Sequence, residues 1–204
     1  MLIKMKSLPL ISFLLIILAA ATVSKGQNNE FPLMVDVKFW KTEGDTLAAK
    51  ALYINQYNFQ FGFNTCDSSG NSLTYYTPKD LAGFFYKTGD EIVEFNSLEN
   101  PEDMGRLFLR VLHRGRLILY QFLEINHAAP TLTYQAAYYL WNNGWLDPPI
   151  TQKFEKESLM SHFSECPELE YKIKTGVYGL PQIRNIITEF ESCLLTDTYE
   201  FFYE

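Results

Sequence analysis

The chain has 204 residues, and its 24 Asp plus Glu outnumber its 17 Lys plus Arg for a formal net charge of −7. Such a balance gives no general attraction for polyanions and argues against nucleic acid as a partner. With 47% hydrophobic and 16% aromatic residues the chain has the material for a core, which excludes a disordered polymer.

The opening MLIKMKSLPLISFLLIILAAATVSKGQ sets Lys4 and Lys6 ahead of an apolar run from Leu8 to Ala21, and small residues follow. This order predicts a secretory signal peptide over residues 1–26. Ala19 and Ala21 suit cleavage after residue 21, whereas Ser24 and Gly26 suit cleavage just before Gln27. The run falls short of the roughly 18 to 20 continuous apolar residues that span a bilayer, so the expectation is a cleaved leader with no stable membrane insertion afterwards. The expected location is periplasmic or secreted. Removing the leader takes Lys4, Lys6 and Lys25 but no acid, so the formal charge moves from −7 to −10. Residues 27–204 are expected to form a single domain.

Past the leader, short alternating runs separated by turn residues predict a sheet-rich part to about residue 146. MVDVKFW reads as a strand, TEGD as a turn and TLAAKALYI as a second strand. YNFQFGFNT places Tyr57, Phe59, Phe61 and Phe63 on one face and predicts a half-buried strand over residues 57–65. That aromatic row is expected to be the inner face of a sheet rather than a carbohydrate platform. CDSSGN is a loop, SLTYYT returns, and TPKD offers Thr77 as an N-cap for one short helical turn. GFFY and EIVEF, split by KTGD, form a hairpin.

RLFLRVLHRGRLILYQF predicts a second hairpin, turning at HRGR, with Gly115 free to take positive φ. Leu107, Leu109 and Val111 share one face and Phe108 and Leu112 the other, so the pair is expected to be central and covered on both sides. His113, Arg114 and Arg116 at the turn are expected to answer the surplus of carboxylates, and they are binding candidates if the turn instead forms an anion rim. LTYQAAYYLW reads as the last strand, with a helix as the alternative. NNGWLDPP, with Gly144, Pro148 and Pro149, marks the boundary, and Trp141 and Trp145 beside it are expected to be hydrophobic plugs between sheet and helices, or binding candidates if they line a groove.

A helical part is expected from about residue 152. Phe154, Leu159 and Phe163 form one stripe, PELEYKIKTG suits a short helix, and Ile183, Ile186, Ile187, Phe190, Cys193 and Leu194 recur at helical spacing behind Pro181. The tail TDTYEFFYE suits an edge strand or a frayed end. Of the three cysteines, Cys166 and Cys193 are the favoured disulfide because both fall in this part, where a bridge ties one helix to another. Three buried thiols are the alternative. No C-x-x-C is present, so redox catalysis and a zinc site lack their usual spacing.

The turn G-D-T-L (Gly44 to Leu47), the run Y-x-P-K-D-L-A-G-F (Tyr76 to Phe84), the hairpin L-F-L-R-V-L-H-R-G-R-L-I-L-Y and a late helix ending in a cysteine resemble a group of uncharacterised exported proteins of Bacteroidetes-type bacteria. The resemblance spans nearly the whole mature chain and implies export and a sheet-rich N-terminal part followed by a helical C-terminal part. It rests on structural residues and assigns no active site. Where similar sequences carry Tyr-Asn before the final cysteine, this chain has Phe190-Glu191-Ser192-Cys193.

Reactive constellations are thin. His113, His127 and His162 lie in three different elements without H-x-H or H-E-x-x-H spacing, G-x-S-x-G is absent, and Ser68 and Ser69 are turn residues. Glu91 and Glu94 would serve a glycosidase only across a cleft of roughly 5 to 9 Å. No cofactor and no metal is implied. The expectation is therefore an α+β domain: an antiparallel sheet, barrel-like if it curls on itself, followed by packed C-terminal helices. Its expected work is noncatalytic binding or structure, with a peptide, a glycan or another envelope protein as partner. A secreted hydrolase whose site is assembled by the fold is the alternative.

Overall fold

The computed structural model describes residues 33–200 apart from Glu43, residues 102–104, Pro130, Asn143 and residues 151–154. The leader and Phe154 therefore lie outside the described residues, which fall in the compact unit Leu33–Glu204.

Among the described residues ten strands form one antiparallel sheet. In chain order they are β1 (Leu33–Trp40), β2 (Thr46–Tyr53), β3 (Phe63–Cys66), β4 (Ser72–Tyr76), β5 (Gly83–Thr88), β6 (Glu91–Glu99), β7 (Arg106–His113), β8 (Ile118–Ile125), β9 (Tyr134–Asn142) and β10 (Trp145–Leu146). The spatial order is β10-β9-β8-β7-β6-β5-β1-β2-β3-β4. The first described strand, β1, lies inside the sheet, and the later strands extend it on both sides. The period-two pattern is visible in β1, where Val35, Val37 and Phe39 are buried while Asp36 and Lys38 face water. Asp36 pairs across the ladder with Lys50 at 3.1 Å.

The sheet is open, which corrects the barrel-like expectation: β10 and β4 are its two ends and do not pair with each other. Each end is cut short. β10 has only two residues before Pro148 and Pro149, whose rings carry no N–H for a ladder, and β4 pairs with β3 through a register shift and stops before Pro78.

The expected strand over residues 57–65 is also corrected. Asn55 accepts the Asn58 N–H on Oδ1 at 2.9 Å and caps a one-turn helix α1 (Gln56–Phe59). Gly62, at φ 149°, turns the chain where a Cβ would sit 2.5 Å from Tyr76 O, and β3 starts after it. Phe59 and Phe63 enter the core with Phe84, Phe95 and Phe108, whereas Tyr57 and Phe61 do not. The alternation of aromatics was thus divided between a helical turn and a strand.

Three helices follow the sheet: α2 (Glu155–His162), α3 (Pro167–Thr175) and, after a 3-10 turn at Leu180–Gln182, α4 (Ile183–Glu200). Leu159, Phe163, Leu169, Ile173, Ile183, Ile186, Ile187 and Phe190 pack with Leu119 and Leu140 of the sheet and with Leu117 of the β7–β8 turn. The region runs on as helix to Glu200, so residues 196–200 are not the edge strand their composition suggested. Proline in the first turn and Gly176 at φ 80° bound α3. Cys166, its N-cap residue, is bonded to Cys193 of α4, and Cys66 is a free, buried thiol. The β7–β8 hairpin is central as expected. Its helix-side residues Leu112 and Leu119 meet this core, and Leu109, Val111 and Tyr120 form an apolar cluster on the opposite face.

Candidate functional site

Strand β9 (Tyr134–Asn142) has neighbours on both sides. On its inner side it pairs with β8 over its whole length, from Ile125↔Tyr134 to Ile118↔Trp141. On its outer side, among the described residues, β10 pairs with Trp141 and Asn142 and an isolated bridge joins Tyr138 to Ile150, and the residues that follow Ile150 lie outside the described ones. That bridge exchanges both bonds, the Tyr138 N–H to Ile150 O at 3.1 Å and the Ile150 N–H to Tyr138 O at 2.7 Å, and the Asp147 N–H reaches Leu140 O at 2.9 Å. Main-chain groups of alternate residues point to opposite sides of an antiparallel strand. Since Tyr138 and Leu140 point outward, Ala136 and Tyr134 do too. Beside them no strand is paired among the described residues.

An open groove of about 350 Å³ runs along this stretch, lined by Asn126, Tyr134, Gln135, Ala136, Tyr138, Leu180 and Pro181. Its far wall is the 3-10 turn, held by the Gly179 N–H donating to Gln182 Oε1 at 3.0 Å. Next to it the Tyr178 hydroxyl donates to Glu189 Oε2 at 2.8 Å, and Lys172 Nζ lies 2.7 Å from Glu189 Oε1. The Lys172 ammonium holds the Glu189 carboxyl below the usual range. In turn the Glu189 carboxylate raises both Lys172 and Tyr178. On the floor Tyr57 stacks on Tyr134 with centroids 4.9 Å apart, and Phe61 continues the row from Tyr57 to Phe122. Gln135 donates to Glu124 at 3.1 Å, which occupies the neighbouring carboxylate. Among the described residues the lining carries amides, phenols and apolar groups, with no charge and no nucleophile paired with a base. It can hold a neutral ligand by hydrogen bonds and contact area.

None of the residues singled out at the β7–β8 turn lines this groove. Arg114 pairs with Glu94, and Arg116 lies 3.4 Å from Glu165. Arg110 reaches Glu91 at 2.5 Å and Gln56 at 2.9 Å, and Arg106 donates to Ser97 O at 2.8 Å. Each arginine answers an acceptor of the protein's own. His113 Nε2 is 3.9 Å from Glu191 Oε1 and is buried without a hydrogen bond. Gly115 does not adopt positive φ; what its missing Cβ allows is the close approach of the Glu191 carboxylate. Of the indoles, Trp141 packs with Ile118 and Leu146 on the sheet face away from the helices, and Trp145 is 79% exposed on the short edge strand. His127 is exposed in a loop, and His162 Nδ1 lies 3.6 Å from Asp147.

The groove joins β9 to the 3-10 turn far along the chain, and no local pattern in the sequence signals it. Among the described residues no three His, Cys, Asp or Glu side chains lie together so as to hold a metal ion, and no helix is long and apolar enough to cross a membrane. No protein-family model, curated protein or solved structure matches the chain.

Proposed function

We propose that this chain is a noncatalytic binding protein of the bacterial periplasm or exterior, and that it holds a neutral ligand in the β9 groove. The observation that carries the proposal is the uncharged lining of Asn126, Tyr134, Gln135, Tyr138, Leu180 and Pro181 beside the stacked Tyr57 and Tyr134. Amides and phenols offer donors and acceptors without demanding a counter-charge, and aromatic faces add contact area at low entropic cost. Export is supported by the basic, apolar and small order of the first 26 residues, by the resemblance to exported proteins of Bacteroidetes-type bacteria, and by the Cys166–Cys193 bond, which suits an oxidising compartment.

The test is saturation-transfer NMR on the exported protein with two neutral probe sets, terminally blocked dipeptides and the disaccharides maltose and cellobiose. At least one set receives saturation from the wild type and loses it in Tyr134→Ala. Transfer unaffected by that substitution, or none from either set, contradicts the groove as the binding site. Cleavage of a probe during the measurement contradicts noncatalytic binding and favours a hydrolase.

A further inference from the structure

We propose that His113 and Glu191 form a proton-operated clasp between the β7–β8 turn and α4, open while the imidazole is neutral and closed once it is protonated. His113 Nε2 is buried without a hydrogen-bond partner, 3.9 Å from Glu191 Oε1. Buried polar atoms are nearly always paired, so one left facing a carboxylate just beyond hydrogen-bond reach calls for an explanation. Gly115 keeps the notch open: a Cβ there would lie 2.9 Å from His113 Nε2 and closer still to Glu191 Oε1. The same Oε1 accepts the Leu117 N–H at 3.2 Å, so the backbone of the turn holds the carboxylate opposite the imidazole.

A neutral imidazole leaves this contact unmade. The protonated ring donates from both nitrogens and carries the charge that Glu191 complements. Closing from 3.9 Å to a charge-assisted hydrogen bond takes a movement of about 1 Å. The two side chains are 27% and 24% exposed, so protons reach the pair while water screens it only in part. The neighbouring charges are engaged elsewhere. On the same turn Arg114 is held by Glu94 and Arg116 by Glu165, and at the start of β6 Glu91 is held by Arg110. From β8 the residue opposite His113 is Leu119. Among the described side chains of α4, Glu191 is the acid that faces it. A histidine that gains a partner on protonation in the folded state contributes stability that is full below its unfolded range of about 6.5 and is lost as pH rises through the folded value. Acidification therefore tightens α4 onto the sheet.

The experiment follows the ring nitrogens of His113 by NMR on the exported protein from about pH 8 to about pH 5. It compares the wild type with Glu191→Gln, which removes the charge and keeps an acceptor for the Leu117 N–H. Urea midpoints of the wild type and of His113→Gln are measured at both ends of the range. Their difference cancels the titration of His127 and of His162, which lies 3.6 Å from Asp147. The expected result is that Nε2 takes up a proton in the folded protein with an affinity that falls about tenfold in Glu191→Gln. The advantage of the wild type over His113→Gln should be larger at the acid end. An imidazole that stays neutral in the folded protein throughout, a proton affinity indifferent to Glu191→Gln, or an advantage independent of pH overturns the clasp. If His113→Gln does not fold, the ring titration in the wild type and Glu191→Gln decides alone.

Discussion

Gln60 and Leu123 are joined by two hydrogen bonds: Gln60 Nε2 donates to Leu123 O at 2.9 Å, and the Leu123 N–H donates to Gln60 Oε1 at 2.5 Å. Gln60 O also accepts the Phe108 N–H at 3.0 Å. The β7–β8 ladder is registered only from Arg110↔Gln121 to His113↔Leu119, so below that point the two strands part. Gln60, fully buried just after α1, takes the place of the missing ladder for both of them. A polar side chain at the heart of the sheet is explained by this geometry.

Gln60→Leu should therefore be costly despite its similar volume. It would leave the Leu123 N–H and C=O without partners, a loss of about 2 to 4 kcal/mol, read as a lower urea midpoint. A loss below about 1 kcal/mol would show that the strands re-pair on their own.

Glu191 fastens α4 to the β7–β8 turn. Its Oε1 accepts the Leu117 N–H at 3.2 Å, in the space that Gly115 leaves open. Glu191→Ala and Gly115→Ala should each destabilise by about 1 kcal/mol, the first by losing the bond and the second by displacing the carboxylate. Because both act on one contact, the double variant should lose less than the two single losses together. Additive losses would show that the two residues act separately.

The carboxyl of Glu189 is held below the usual glutamate range, first by Lys172 and then by the Tyr178 hydroxyl. A depressed folded-state value contributes stability above the unfolded pKa of about 4.3 that is lost as pH falls through the folded value. The carboxyl carbon resonance of Glu189 should titrate below the ordinary range and move upward in Lys172→Met. A midpoint at or above the ordinary range would contradict the triad.

The Cys166–Cys193 bond closes a loop with a sequence separation of 27. Chain entropy assigns such a loop about 3 to 4 kcal/mol. Cys166→Ser with Cys193→Ser, or reduction, should lower the thermal midpoint, with α3 and α4 loosening first because the bond joins them. An unchanged midpoint would show that the apolar helix stripe alone holds them.

Hairpins and helices were legible in the sequence because local chemistry decides them. KTGD turns at Gly89 with φ 58°, and the stripe from Ile183 to Phe190 is buried as its spacing requires. Residues 57–65 misled because four aromatics at alternate positions imitate a strand, while the decisive residues are the cap at Asn55 and the turn at Gly62. In the TPKD run the Thr77 N–H and hydroxyl do bond to Asp80, at 2.8 and 2.7 Å, but as a turn without a helix. Closure of the sheet depends on what lies beside β4 and β10, and no local pattern encodes it. The groove was least legible. It brings Tyr134, Gln135 and Tyr138 of β9 beside Leu180 and Pro181 of the 3-10 turn, a meeting made by the packing of the helices on the sheet rather than by any local pattern.

The central claim is that the groove beside β9 holds a neutral ligand, and saturation-transfer NMR on the exported protein with blocked dipeptides, maltose and cellobiose tests it most directly. Saturation of at least one probe set that disappears in Tyr134→Ala is the result expected. No transfer, or transfer indifferent to that substitution, would contradict the account.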